Sequence, residues 1–226
     1  MERTDSCYPS TDIPEVMTAK GGKCGLRPTP SSTVALSGSS AVNAPWMVSI
    51  GDNYEGEYEH NCGGSIIGSK IVLTAAHCIT GQEFFFEDYV IVVGAYDLKN
   101  VDRDETSKFP IDKAVVHPRW QKTGEKHVYF DAGLVFTKRP FVFSPKVAPV
   151  CLPPMGHEQM PANLFGDSLT VVGWGRGLQD KHSGELVSID VTINTKTECN
   201  TKYSQANTKR QRGQRQTELP NGLQDS

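Results

Sequence analysis

A histidine that closes a short apolar run, sits beside a cysteine and is followed about fifty residues later by an aspartate can move protons in a nucleophilic reaction. Leu73-Thr74-Ala75-Ala76-His77-Cys78 and Asp131-Ala132-Gly133-Leu134 supply these parts, with Cys62-Gly63-Gly64-Ser65 upstream. In such a site the imidazole takes and returns a proton, while a carboxylate fixes its tautomer and stabilises the imidazolium. Asp131 precedes an apolar strand, where a carboxylate is costly unless it is paired, and His77 gives it that pair. The chemistry this suits is acyl transfer, which also needs a nucleophile.

The elements that must hold these residues are strands. Hydrophobic residues make up 37% of the 226, with 21 Gly and 14 Pro, a balance suited to a turn-rich β protein. Runs rich in Val, Ile and Thr recur between Gly, Pro, Asn and Asp clusters, as at Ile71 to Thr74, Val90 to Val93 and Leu169 to Val172. No sustained helical period occurs, and the prediction is all-β. The formal charge of −3 points to no nucleic-acid partner, and no apolar run approaches a membrane span.

From Ser39 to Tyr203 the sequence resembles the trypsin- and chymotrypsin-like serine proteases. The motifs come in that family's order. Ala44-Pro45-Trp46-Met47-Val48-Ser49-Ile50 resembles its opening strand, and His60-Asn61-Cys62-Gly63-Gly64-Ser65-Ile66-Ile67 the next. The His77 segment, Tyr89 to Gly94, His117-Pro118-Arg119-Trp120 and Asp131-Ala132-Gly133-Leu134-Val135 follow. Val147-Ala148-Pro149-Val150-Cys151-Leu152-Pro153 looks like the link between two barrels. Val171-Val172-Gly173-Trp174-Gly175 looks like the start of the second, and Glu198-Cys199-Asn200 like its intermediate helix. Each has a mechanical reason to exist, and their order carries more weight than any one of them.

The resemblance implies a double β-barrel, with the first barrel complete and the second only partly present. It implies peptide-bond hydrolysis by a serine-type endopeptidase, with His77 as base and Asp131 as its orienting group, acting on a protein or peptide substrate without a cofactor. The family's nucleophile lies in a Gly-Asp-Ser-Gly-Gly turn, which these residues do not contain. Gly166-Asp167-Ser168-Leu169 has a similar beginning, but no Gly-Gly follows to bring backbone N–H groups to an oxyanion. Ser168 also precedes Val171-Val172-Gly173-Trp174-Gly175, whereas the family's serine comes well after that strand, so it reads as a polar turn. The chain is therefore expected to be a truncated, inactive piece of a protease. The alternative is a non-catalytic homologue acting as a secreted binding or regulatory protein. Ala35-Leu36-Ser37-Gly38 stands where the family's zymogens carry Ile-Val-Gly-Gly after a basic cleavage site, and no Lys or Arg immediately precedes it.

Six cysteines permit fifteen pairings. The resemblance implies Cys62–Cys78, clamping the histidine's strand, and Cys24–Cys151, tethering the N-terminal segment; Cys7 and Cys199 are left open. Disulfides imply an oxidising, extracellular location, yet Met1-Glu2-Arg3-Thr4-Asp5-Ser6-Cys7 has no apolar signal region. An absent true N-terminus reconciles the two. His60, His117, His127, His157 and His182 lack metal-ligand spacing. In the loop Ala95 to Ser107, where some members of the family bind calcium, Asp104 and Glu105 could supply oxygens but Ala95 stands in place of the first carboxylate, so no metal is expected.

Residues 1–33 read as a pro-segment or linker with two cysteines, or as a small disulfide module. Residues 39–203 read as the incomplete protease domain. Residues 204–226 carry a net +2 against −5 for the rest and read as a disordered basic tail. A half-built second barrel would leave strand edges open and favour aggregation.

Overall fold

The computed structural model describes residues 24–26, 43–55, 57–80, 87–103, 107–123, 127–153, 166–174, 184–195 and 197–202. Apart from Cys24–Leu26, the predicted linker (1–33) lies outside them, as does the predicted tail (204–226). The chain divides into two compact units, one within Met1–His157 and Val172–Ser188, the other within Glu158–Val171 and Ile189–Ser226.

The first unit is built on a closed six-stranded antiparallel barrel. Its strands are β1 (Met47–Tyr54), β2 (Glu57–Ile66), β3 (Ile71–Thr74), β4 (Tyr89–Val93), β5 (Lys108–Val116) and β8 (Gly133–Thr137). They are ordered β1-β2-β3-β8-β5-β4, and β4 returns to β1. A short hairpin, β6 (Gln121–Thr123) with β7 (His127–Tyr129), lies between β5 and β8 in sequence. The runs 71–74 and 90–93, predicted from their β-branched composition, fall in β3 and β4.

Alternation along each strand fills the barrel. Val48 and Ile50 of β1, Tyr89, Ile91 and Val93 of β4, and Phe109 and Ile111 of β5 share one cluster with Ile66, Val72, Val135 and Phe141. Period-2 side chains place every second residue on one face, and these are the inward ones. The other face of β4 is not left bare, because Val90 and Val92 pack with Val101 under Tyr58 and Leu98. At roughly 1.5–3 kcal/mol for each fully buried aliphatic side chain, this interior dominates the stability of the unit.

One irregularity shapes the β1–β2 pair. Ile50 faces Cys62 and Gly51 faces His60, so Asn61 is an extra residue, a β-bulge. Its side-chain amide donates to the Tyr89 hydroxyl at 2.7 Å. The strands crowd here so closely that a Cβ on Gly51 would lie 2.0 Å from the Glu59 carbonyl oxygen.

Of the second barrel, β9 (Ser168–Gly173) and β10 (Val187–Thr192) form a two-stranded sheet. Leu169, Val171 and Ile189 are exposed on it. A short helical segment follows at residues 197–202. There the Thr195 hydroxyl accepts from the Glu198 backbone N–H, and the Glu198 carboxylate accepts from the Thr195 N–H and hydroxyl, a capping box. The all-β prediction, with one complete barrel and part of another, matches this architecture.

Candidate active site

Antiparallel pairing of β3 with β8 sets the geometry of the site. Thr74 lies opposite Gly133, so the outgoing end of β3 is beside the incoming end of β8. Three residues beyond Thr74 comes His77, in a single 3-10 turn (Ala76–Cys78); two residues before Gly133 comes Asp131. The Thr74 hydroxyl donates to the Gly63 carbonyl at 2.8 Å, tying the end of β3 to β2. Cys78 is bonded to Cys62 on β2. His77 is thus anchored on both sides in sequence to the same neighbouring strand. The Cys24–Cys151 bond also forms. Cys199 is a free thiol in the 197–202 segment, and Cys7 lies outside the described residues.

His77 and Asp131 meet through two hydrogen bonds. The His77 backbone N–H donates to Asp131 Oδ1 at 2.9 Å, and the ring Nδ1–H donates to Oδ2 at 2.7 Å. With Nδ1 carrying the proton, Nε2 is left as the basic nitrogen. The imidazole is more than half exposed, with 55% of its side-chain surface open, against 23% for Asp131. Desolvation acts to raise the Asp131 carboxyl pKa. Hydrogen bonds from the His77 backbone and ring, the charge of the imidazole and the Ala76 N–H outweigh it and hold the pKa below its ordinary value. The two bonds hold the imidazole in one orientation while more than half of its side-chain surface stays open to solvent.

The approach to Asp131 is also shaped. Phe130 has φ +53°, in the left-handed region, which costs a residue with a Cβ about 1–2 kcal/mol. The Ala132 N–H donates to the Phe130 carbonyl at 2.8 Å, a γ-turn with Asp131 at its centre. Next to it, a Cβ on Gly133 would lie 2.5 Å from Ile79 Cδ1, so the chain enters β8 in close contact with the residue that follows the His77 turn.

Cys62, His77 and Cys78 offer three potential metal-binding atoms within 4.8 Å of one another. The two sulfurs are bonded to each other, which leaves no thiolate to hold an ion. Ser168 opens β9 as an exposed strand residue.

A second polar group escaped the sequence reading. Ser49, wholly buried on β1, shares hydrogen bonds with Tyr58 Oη and, at 2.5 Å, with His60 Nδ1. The His60 ring packs 5.6 Å from that of Trp174. Burial pushes the Tyr58 phenol well above its ordinary pKa, partly offset by the bond to Ser49. Ser49 has no exposed surface, so this serine–histidine contact braces the β1–β2 hairpin rather than meeting a substrate. Period-2 reading of Val48-Ser49-Ile50 marks Ser49 as facing away from the barrel interior, the one signal that could have found it.

The family model described as Trypsin matches residues 35–222. This chain belongs to the trypsin family. Among its relatives, the clotting factor G beta subunit of Tachypleus tridentatus is 31% identical over 80% of this chain and 56% of its own length. A venom serine protease of Polistes dominula is 31% identical over 64% of this chain and 50% of its own. Serine protease 7 of Drosophila melanogaster is 34% identical over 72% of this chain and 43% of its own. The chain spans about half the length of the first of these curated relatives. Trypsin-family proteases act on protein substrates. Among the described residues no helix is long and apolar enough to cross a membrane.

Proposed function

We propose that this chain carries the base and orienting carboxylate of a serine endopeptidase that acts on protein substrates outside the cell, with residues 39–203 as its protease domain. The observation that carries the reading is the pair of hydrogen bonds from His77 to the two oxygens of Asp131. His77 Nε2 would take the proton of a serine hydroxyl as it attacks the peptide carbonyl, then return it to the leaving amine; Asp131 would hold the imidazolium formed in between. The 226 residues include no Gly-Asp-Ser-Gly-Gly turn. Without that nucleophile and its oxyanion donors, one of which is worth about 2.7–4 kcal/mol, they would form no acyl-enzyme by themselves. The two disulfides support an oxidising compartment.

The test has two parts. Transcripts are first sequenced past the Tyr203 codon in all three frames. The chain, and a version extended through any Gly-Asp-Ser-Gly-Gly segment so found, are then treated with a fluorophosphonate probe. We expect labelling of the extended protein only, abolished by His77→Ala. No such segment in any frame, or no labelling of the extended protein, would replace the protease reading with that of a binding protein. Labelling indifferent to His77→Ala would overturn the role of His77 as base.

A further inference from the structure

Phe130 is a large aromatic residue in a backbone conformation that side chains with a Cβ rarely adopt, and it immediately precedes Asp131. Such outliers persist only where the surroundings impose them, and they concentrate at functional sites. Here the surroundings are specific. The His117 ring stacks on the Phe130 ring at 5.0 Å with an interplanar angle of 9°, and the Arg119 guanidinium carbon lies 4.0 Å from the same ring's centroid. Arg119 and His117 are themselves coupled, since the Arg119 backbone N–H donates to His117 Nδ1 at 3.1 Å. The His117 backbone N–H donates to the Ala132 carbonyl at 2.9 Å.

The γ-turn at Asp131 is therefore gripped on both sides, by the aromatic ring before it and by the backbone bond after it. We propose that Phe130 is a positioning residue, whose ring, held by His117 and Arg119, maintains the left-handed turn that aims both Asp131 oxygens at His77. Phe130 touches none of the reacting atoms and acts only through Asp131. A strand entering β8 in ordinary extended geometry would turn the carboxylate elsewhere, because a change of φ at residue 130 rotates everything after it. The inference rests on the reading of His77 and Asp131 as a catalytic pair, and it assigns that pair's alignment to three residues outside it.

The test uses the isotopically labelled full chain with both disulfides formed. Carbon NMR follows the Asp131 carboxyl titration, proton NMR follows the His77 Nδ1–H, and amide signals of the barrel strands report whether the fold is intact. With Phe130→Ala we expect the carboxyl midpoint to rise and the Nδ1 proton to weaken and exchange faster with water, while the barrel signals stay in place. His117→Ala, which keeps the backbone bond to Ala132, should move both readouts the same way and serves if Phe130→Ala does not fold. Phe130→Tyr, which keeps the ring, should match the original chain. Unchanged readouts in both alanine variants, or a Phe130→Tyr protein that behaves like Phe130→Ala, would overturn the inference. If the unsubstituted chain itself shows no hydrogen-bonded Nδ1 proton, it is the catalytic-pair reading that has failed.

Discussion

Each oxygen of the Asp131 carboxylate accepts a hydrogen bond from His77, one from the main chain and one from the ring. The first bond fixes where the carboxylate sits relative to the histidine's backbone, and the second fixes how the ring turns. A rotation of the imidazole alone breaks one bond and keeps the other, so the partners stay registered while the ring moves.

The depressed Asp131 pKa has a definite sign. The folded protein holds the carboxylate more tightly ionised than the unfolded chain, so the stabilisation is complete above the ordinary value of about 4 and disappears as pH falls through the folded one. Denaturant melts across the acid range should show this slope, and Asp131→Asn should remove that residue's share of it. An equal slope in the variant would contradict the assignment.

Tyr58 titrates in the opposite sense. Its raised pKa means that the folded state resists ionisation, so above about pH 10 the unfolded chain loses the proton first and stability declines. Tyr58→Phe should flatten this alkaline limb and remove one late-titrating phenol from the absorbance at high pH.

Loop closure ranks the two disulfides. Cys62–Cys78 spans 16 residues and Cys24–Cys151 spans 127. Chain-entropy arguments assign about 3 kcal/mol to the short loop and about 5 kcal/mol to the long one. Urea midpoints of the paired Cys→Ser variants should follow that order. Loss of Cys62–Cys78 should also broaden the His77 ring signals, because Cys78 is its immediate neighbour.

Gly51→Ala should be among the most damaging single substitutions. The new methyl would meet a backbone carbonyl at 2.0 Å, which cannot swing aside as a side-chain end can. We expect a loss of about 3 kcal/mol, the upper end of ordinary overpacking, read as a lower denaturation midpoint. Gly63→Ala, whose Cβ would approach nothing closer than Met47 Cε at 3.9 Å, is the matched control.

Residue types and their order made the barrel, the His77 and Asp131 segments and the runs later found in β3 and β4 legible. Apolar alternation and β-branching are local properties that mark strands, whereas the barrel follows from the order of motifs that resemble the family's. The Ser49, Tyr58 and His60 group was not legible. It depends on a register shift at Asn61, and a one-residue slip changes which face every later side chain occupies. Phe130 was equally hidden, since neither its aromatic character nor its neighbours in sequence announce a left-handed backbone. Only the three-dimensional meeting with His117 and Arg119 gives it a cause.

The closure of the barrel has a consequence for time as well as for shape. A sheet with two edges loosens from its outermost strands inward, but β3 and β8 sit in a ring without such a starting point. The amides bonded within this pairing, which runs from Ile71 against Phe136 to Thr74 against Gly133, should be among the slowest of the described residues to exchange with solvent hydrogen. Thr74 and Gly133, the strand ends nearest His77 and Asp131, then stay paired for as long as the first barrel stays closed.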